Sequence, residues 1–262
     1  FSLPSLRLSG YLQAFAASAD SVTFAPEAAT ARLRNVINKN ITEQDITAAF
    51  EEAFSQGQTR LKLYFMCGLP SETEEDIKEI SRITLLARQI FNKYRRGSSL
   101  NISVSLAVFI PKPFTPFQWE SFGSEQSVKD KQMMLKEPLS RQRVKYSYHS
   151  YDVSMLECIF SRGDGRLSKV IERAYELGCV LDSWSEYFDL NKWKQAFSDC
   201  GIDYHCYLRQ FGEDEILPWD FFDSGISKRY LLKEREKAFS GETTRDCRQG
   251  CNGCGADIKC CD

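Results

Sequence analysis

Two glutamates and a set of clustered cysteines have the types and spacings that can do chemistry. Glu27 ends the run Phe24-Ala25-Pro26, and Glu72 follows Lys62-Leu63-Tyr64-Phe65-Met66-Cys67-Gly68-Leu69-Pro70-Ser71. Each is a β-rich run leading into a turn with a carboxylate, and parallel sheets and barrels put ligand sites at such strand ends. Gly68 lets a ligand approach the backbone, Pro70 stiffens the turn, and Ser71 or Thr73 opens a helix whose amides face the strand ends. The plainer alternative is a capped turn whose acidic residues complement the helix dipole. Glu27 needs a partner if it is buried. Arg32, Arg34 and Lys39 follow it on a helical pattern that turns Leu33, Val36 and Ile37 to the core, and those three basic residues can equally form a solvated face.

The other constellation is Cys247, Cys251 and Cys254 in a tail where glycine, cysteine and charge dominate from Gly241 onward. Glycines allow chelating turns, and three of these thiolates plus Cys260 or Cys261 suit either a tetrahedral zinc or an iron–sulfur cluster. Disulfides or loose thiols are the alternatives. Weaker candidates are His149 beside Asp152, His205, Cys67 as a thiol near the turn, and the polar knot of Arg162, Asp164 and Arg166, for which an ion pair is the simpler account.

The elements that must position these groups alternate in type up to Trp119. Strands are expected at Ser5–Leu8, Ser21–Ala25, Arg60–Met66 and Asn101–Phe109, with helices at Leu12–Ala19, Ala29–Asn38, Glu43–Gln56 and Glu74–Arg95. Thr42 with Asp45, and Ser71 with Glu74, resemble helix starts. This alternation predicts parallel strands joined by right-handed crossovers, closing as a barrel or part of one. Beyond Trp119 come a charged helix near Ser124–Arg141, a strand at Val144–Tyr148 and aromatic-rich helices to about Phe239. Trp184, Tyr187, Phe188, Trp193 and Phe197 read as core.

Composition narrows the classes. A net charge of -2 offers no global field for nucleic acid, no apolar run approaches the roughly 20 residues of a membrane span, and scattered single cysteines predict a reducing cytoplasm. Residue 1 is Phe, and a strand-like run starts at Ser2. The chain is therefore read as part of a longer polypeptide, with its missing N-terminal part as a partner.

Three ordered motifs carry a family resemblance: Pro26-Glu-Ala-Ala-Thr-Ala-Arg-Leu-Arg-Asn-Val-Ile-Asn-Lys-Asn-Ile-Thr-Glu-Gln-Asp45, Met66-Cys-Gly-Leu-Pro-Ser-Glu-Thr-Glu-Glu-Asp76 and Phe109-Ile-Pro-Lys-Pro-Phe-Thr-Pro-Phe-Gln-Trp119. Together they resemble the second half of a radical S-adenosylmethionine (SAM) barrel. The nearest group is the radical SAM proteins that often carry a cobalamin-binding-type domain, and in particular an uncharacterised bacterial subgroup that also shares Arg162-Gly163-Asp164, Leu217-Pro218-Trp219-Asp220 and the cysteine tail.

The resemblance implies an α/β fold: a partial (β/α) barrel over residues 1–119, a mainly helical accessory region over 120–240 and a metal-binding tail over 241–262. It implies that a [4Fe-4S] cluster and SAM generate a 5′-deoxyadenosyl radical, with cobalamin as a further cofactor of the group. Glu27, Gly68, Pro70 and Glu72 would line the SAM pocket, and Pro111 would flank adenine or substrate. Ala28 and Ala29 stand where many members have Ser-Gly, which removes a hydroxyl. The family's C-x3-C-x2-C follows the first barrel strand. Cys247, Cys251 and Cys254 have that spacing far downstream, so they are read as a second metal site and the cluster ligands as lying upstream. The rival readings are a non-catalytic zinc-tailed module for RNA or protein, and a metal-independent hydrolase using Glu27 and Glu72 as acid and base.

Overall fold

The structure, a computed structural model, describes residues 21–94 and 97–256; the strand and helix expected before residue 20 lie outside them. Four strands, β1 (Ser21–Glu27), β2 (Arg60–Cys67), β3 (Asn101–Val108) and β4 (Lys145–Tyr148), form one sheet in sequence order with every pair parallel. The crossovers carry α1 (Ala31–Val36) and α2 (Glu43–Ser55), then α3 (Glu74–Tyr94), then α4 (Glu125–Arg141). Next come α5 (Tyr151–Arg162), α6 (Leu167–Glu176), α7 (Leu190–Asp199), α8 (His205–Leu208) and α9 (Lys228–Ser240), with a short 3-10 turn at Cys247–Gln249. The mixed α/β reading is thus observed. No helix among the described residues is long and apolar enough to cross a membrane.

Local chemistry sets the helix starts. Thr42 caps α2 in a reciprocal box with Asp45, as the spacing predicted. At α3 the cap is Thr73, not Ser71: the Thr73 hydroxyl accepts from the Asp76 amide at 3.4 Å, and the Asp76 carboxylate accepts from the Thr73 amide at 2.8 Å. Ser71 has φ 59° and lies outside the helix.

The strands alternate in burial, and the register shows why. Val22 and Phe24, Leu61, Leu63, Phe65 and Cys67, and Ile102, Val104, Leu106 and Val108 point to one face, buried under α2, α3 and α4. The opposite face carries Thr23 and Ala25, Lys62, Tyr64 and Met66, Ser103, Ser105 and Ala107, and Lys145 and Ser147, all partly or fully exposed. An all-parallel sheet ordinarily has both faces covered and reads as continuous apolar runs. Here, among the described residues, the second face is largely polar and only partly covered.

The aromatic series after α6 divides. Trp193 and Phe197 are buried, whereas Trp184 and Tyr187 are 60% and 56% exposed, because they fall in the turns before α7, where none of the described elements packs over them. That corrects the expectation that the whole series is core.

Candidate functional site

At the carboxyl end of β1 the sheet breaks its regularity. Phe24 aligns with Leu63 but Glu27 with Phe65, so β1 uses three steps where β2 uses two. Such a bulge re-aims a side chain, and Glu27 itself has φ 66°, a conformation that non-glycine residues seldom adopt. Its carboxylate accepts from Lys39 Nζ at 3.2 Å and stays 27% exposed. The sequence required a partner for Glu27 only if it were buried; it is partly exposed and pairs with Lys39.

One strand over, Gly68 (φ 85°) follows β2 beside Phe109, whose amide donates to the Cys67 carbonyl at 2.8 Å. A methyl group added at Gly68 would reach the Phe109 Cβ at 4.0 Å, so the positive φ, more than crowding, calls for glycine here. Met66 and Phe109 are half-buried against Ala28, Leu33, Leu69 and Phe117. Pro111, two residues further on, is buried. Glu27, Gly68, Pro70 and Pro111 therefore all lie at the carboxyl ends of three neighbouring parallel strands.

Glu72 is placed differently. Its side chain is fully buried, with Oε1 accepting from the Gly68 amide at 2.9 Å and lying 2.7 Å from Lys131 Nζ of α4. Oε2 is buried without a hydrogen-bond partner. Burial pushes this carboxyl above its ordinary pKa, opposed by Lys131 and by the amides of Gly68 and Leu69. Glu72 thus shapes the turn from beneath.

A second lock joins the two turns. Asp76, almost fully buried, accepts from the hydroxyls of Thr30 and Thr73 and pairs with Arg32, which also donates to the Ser71 carbonyl at 2.9 Å. Burial raises the Asp76 carboxyl, but the hydrogen bonds from Thr30, Thr73 and Arg32 outweigh it and hold the group below the ordinary range. Arg34 is buried and donates to the carbonyls of Ala29 at 2.6 Å and Ile41 at 2.7 Å. Arg34 is consequently a buried turn-forming residue, while Arg32 and Lys39 stay partly exposed and are each held by a carboxylate.

Against known proteins, the chain is 32% identical over 182 residues to an uncharacterised protein of Methanocaldococcus jannaschii. The match covers 70% of this chain and 39% of that relative. The chain thus spans about two fifths of the relative's length. No protein-family model and no solved structure matches the chain.

The remaining candidates sort by environment. Cys67 is buried beneath the sheet, and burial pushes its thiol up to about 12, as suits a packing residue. His149 is exposed and follows β4 on the open side of the sheet, its amide donating to the Leu106 carbonyl at 3.0 Å. His205 is exposed on α8. Asp164 pairs with Arg166 at 2.8 Å and accepts from the Tyr207 hydroxyl at 3.2 Å, the expected structural ion pair. Arg162 stands apart: it is fully buried, 4.0 Å over the Phe211 ring, and donates to the Arg209 carbonyl at 3.0 Å. No local sequence pattern marks Gln118 as a junction. Its Oε1 accepts from the Phe114 amide at 3.0 Å and the Trp219 indole at 2.8 Å, tying the loop after β3 to the Leu217–Asp220 motif. Among the described residues, no three His, Cys, Asp or Glu side chains lie close enough to hold a metal ion. Cys260 and Cys261 are outside the described residues.

Proposed function

We propose that this chain is the C-terminal part of a radical SAM enzyme: the later strands of a partial (β/α) barrel, a helical accessory region and a metal-binding tail. The observation that carries the reading is the all-parallel sheet with one face buried under helices and the other polar and open, its carboxyl edge formed by the three motifs that resemble the family. In this reading the polar face would be the interior wall of a barrel that further strands complete, since a parallel sheet ordinarily has both faces covered.

The residues at that edge fit an adenosyl group. Gly68 offers backbone without a side chain, Glu27 retains accepting capacity beyond its bond to Lys39, and Met66 and Phe109 give a half-exposed apolar surface. Glu27, Gly68 and Pro70 would hold SAM, and Pro111 with the strand-end loop would support one side. Glu72 would act through the turn, because its side chain is fully buried and its Oε1 is held by the Gly68 amide and Lys131. Bound to a reduced [4Fe-4S] cluster, SAM supplies a 5′-deoxyadenosyl radical. Among the described residues there is no thiolate set at this edge for such a cluster, Cys67 being buried under the sheet, and in this reading its ligands would come from elsewhere in the full-length protein. The open face, with Tyr64, Ser103, Ser105 and Ser147, would meet a substrate.

The test uses the full-length protein purified without oxygen, with SAM binding and release of 5′-deoxyadenosine as readouts. Losing a hydrogen bond to a charged group costs about 1.5–3 kcal/mol, so Glu27→Ala should weaken SAM binding by about 10- to 100-fold. Glu27→Ala with wild-type SAM affinity, or a full-length protein that never cleaves SAM, would sink the reading.

A further inference from the structure

We propose that the substrate of the polar face is a phosphomonoester whose phosphate is held between Lys62 and Lys145 above Ser103, an assignment that rests on the barrel reading given under the proposed function. The strand register places the three residues. Lys62 of β2 aligns with Ser103 of β3, and Ser103 aligns with Lys145 of β4. The two lysines therefore stand on one rung, with their Cα atoms about 10 Å apart across two strand spacings. All three residues lie on the polar face, the lysines exposed and Ser103 half-buried. A lysine side chain is long enough to cover half of that gap, so both ammonium groups can meet one anion above the Ser103 hydroxyl.

Charge separates this rung from an ordinary solvated surface. On the helices Lys78, Lys129 and Arg141 each pair with a glutamate four residues earlier. On the polar face of the four strands the one carboxylate is Glu27, at the carboxyl edge, and it is already paired with Lys39. Among the described residues no carboxylate pairs with Lys62 or Lys145. Two cations flanking a hydroxyl are complemented by a dianion rather than by a single negative charge. A carboxylate carries one charge, whereas a phosphomonoester carries about −1.5 to −2 near neutral pH. Lysine binds phosphate as a point charge, and the serine hydroxyl adds a donor.

Lys62 leans into the face. Its Nζ lies 4.8 Å from the centre of the Tyr64 ring, so the side chain runs along β2 toward the carboxyl edge. From Tyr64 to Gly68 is four residues, about 13 Å of strand. A phosphate held here is a handle remote from the Glu27 and Gly68 edge, and the reacting carbon belongs to the far end of the molecule. Tyr64, half-exposed on the next rung with Ser105 and Ser147, offers a ring face and neighbouring hydroxyls to the part between.

The experiment titrates full-length protein, purified without oxygen, with phenyl phosphate followed by phosphorus NMR. Wild type is compared with Lys62→Gln and Lys145→Gln, and with Lys136→Gln, an exposed lysine of α4, as a control for charge alone. Benzoate and a short single-stranded RNA are titrated in parallel. All three lysines are exposed, so the variants should fold with stability near wild type. The expected result is saturable binding of phenyl phosphate in wild type and control, weakened at least about tenfold in Lys62→Gln and in Lys145→Gln, with benzoate bound at least about tenfold more weakly than phenyl phosphate. No saturable binding, equal affinity in all variants, benzoate bound as tightly, or RNA bound more tightly through the same lysines would overturn the proposal. SAM cleavage measured on the same samples keeps the two readings apart. A protein that cleaves SAM but does not bind phenyl phosphate overturns the substrate assignment alone. One that binds it through Lys62 and Lys145 but never cleaves SAM overturns the proposed function and leaves the anion site in place.

Discussion

Glu72 shows how far a residue's role can lie from its position in a motif. In the sequence it is one of two strand-end carboxylates available for acid–base work; in the structure its side chain is fully buried beneath the turn it belongs to. Lys131, its counter-charge, arrives from α4 at a separation no local pattern reveals. Removing one partner of a buried pair leaves an uncompensated charge, so Lys131→Met should destabilise the protein by about 3 kcal/mol in alkaline solution. The loss has a definite pH dependence. The Glu72 carboxyl already sits above its ordinary pKa, and removing Lys131 raises it further. The penalty should therefore appear as pH rises through the raised folded value and shrink as acidification returns the proton. Adding Glu72→Gln to Lys131→Met keeps an acceptor for the Gly68 amide, and should recover most of the loss and flatten the pH profile. Urea unfolding of wild type, Lys131→Met and the double variant at two pH values checks this, and a double variant no better than Lys131→Met would refute it.

At the scale of elements, the sequence showed most of the scaffold. The four described strands and the helices between them fall within a few residues of their expected places, because alternating apolar runs and capping residues are local signals. The Thr42 box was readable for that reason. The exchange of Ser71 for Thr73 as the α3 cap was not, since both have a hydroxyl and only the positive φ at Ser71 separates them. The latch on Asp76 was equally hidden, its partners Thr30 and Arg32 lying more than forty residues away. Asp76→Asn should cost about 2 kcal/mol at neutral pH by weakening several bonds to a buried carboxylate. The folded pKa of Asp76 is depressed, so its contribution is present above the unfolded value of about 4 and is lost as pH falls through the folded value. The stability gap between wild type and Asp76→Asn should then close in acid. A gap that persisted there would mean that the carboxylate charge is not what joins the two turns.

Over the whole molecule, the sheet's two faces make opposite demands on neighbouring residues of one strand. Leu106 is fully buried with Val104 beneath the helices, while Ser105, between them, points to the open face beside Tyr64 and Ser147. If the open face is a chamber wall, Ser105 contributes little to folding and its change is felt by whatever binds there. Leu106→Ala should cost about 2–5 kcal/mol through the cavity it leaves, and Ser105→Ala should stay within about 0.5 kcal/mol. In the full-length protein Ser105→Phe should leave SAM affinity near wild type, because the Glu27 and Gly68 edge is untouched. It should lower turnover of any substrate lying on the wall, since bulk on that face takes up the chamber's volume. Thermal unfolding separates the first pair, and SAM binding against turnover separates the second. Ser105→Phe destabilised as severely as Leu106→Ala would instead mean that the open face is packed in the complete protein, leaving the substrate to be sought at another wall.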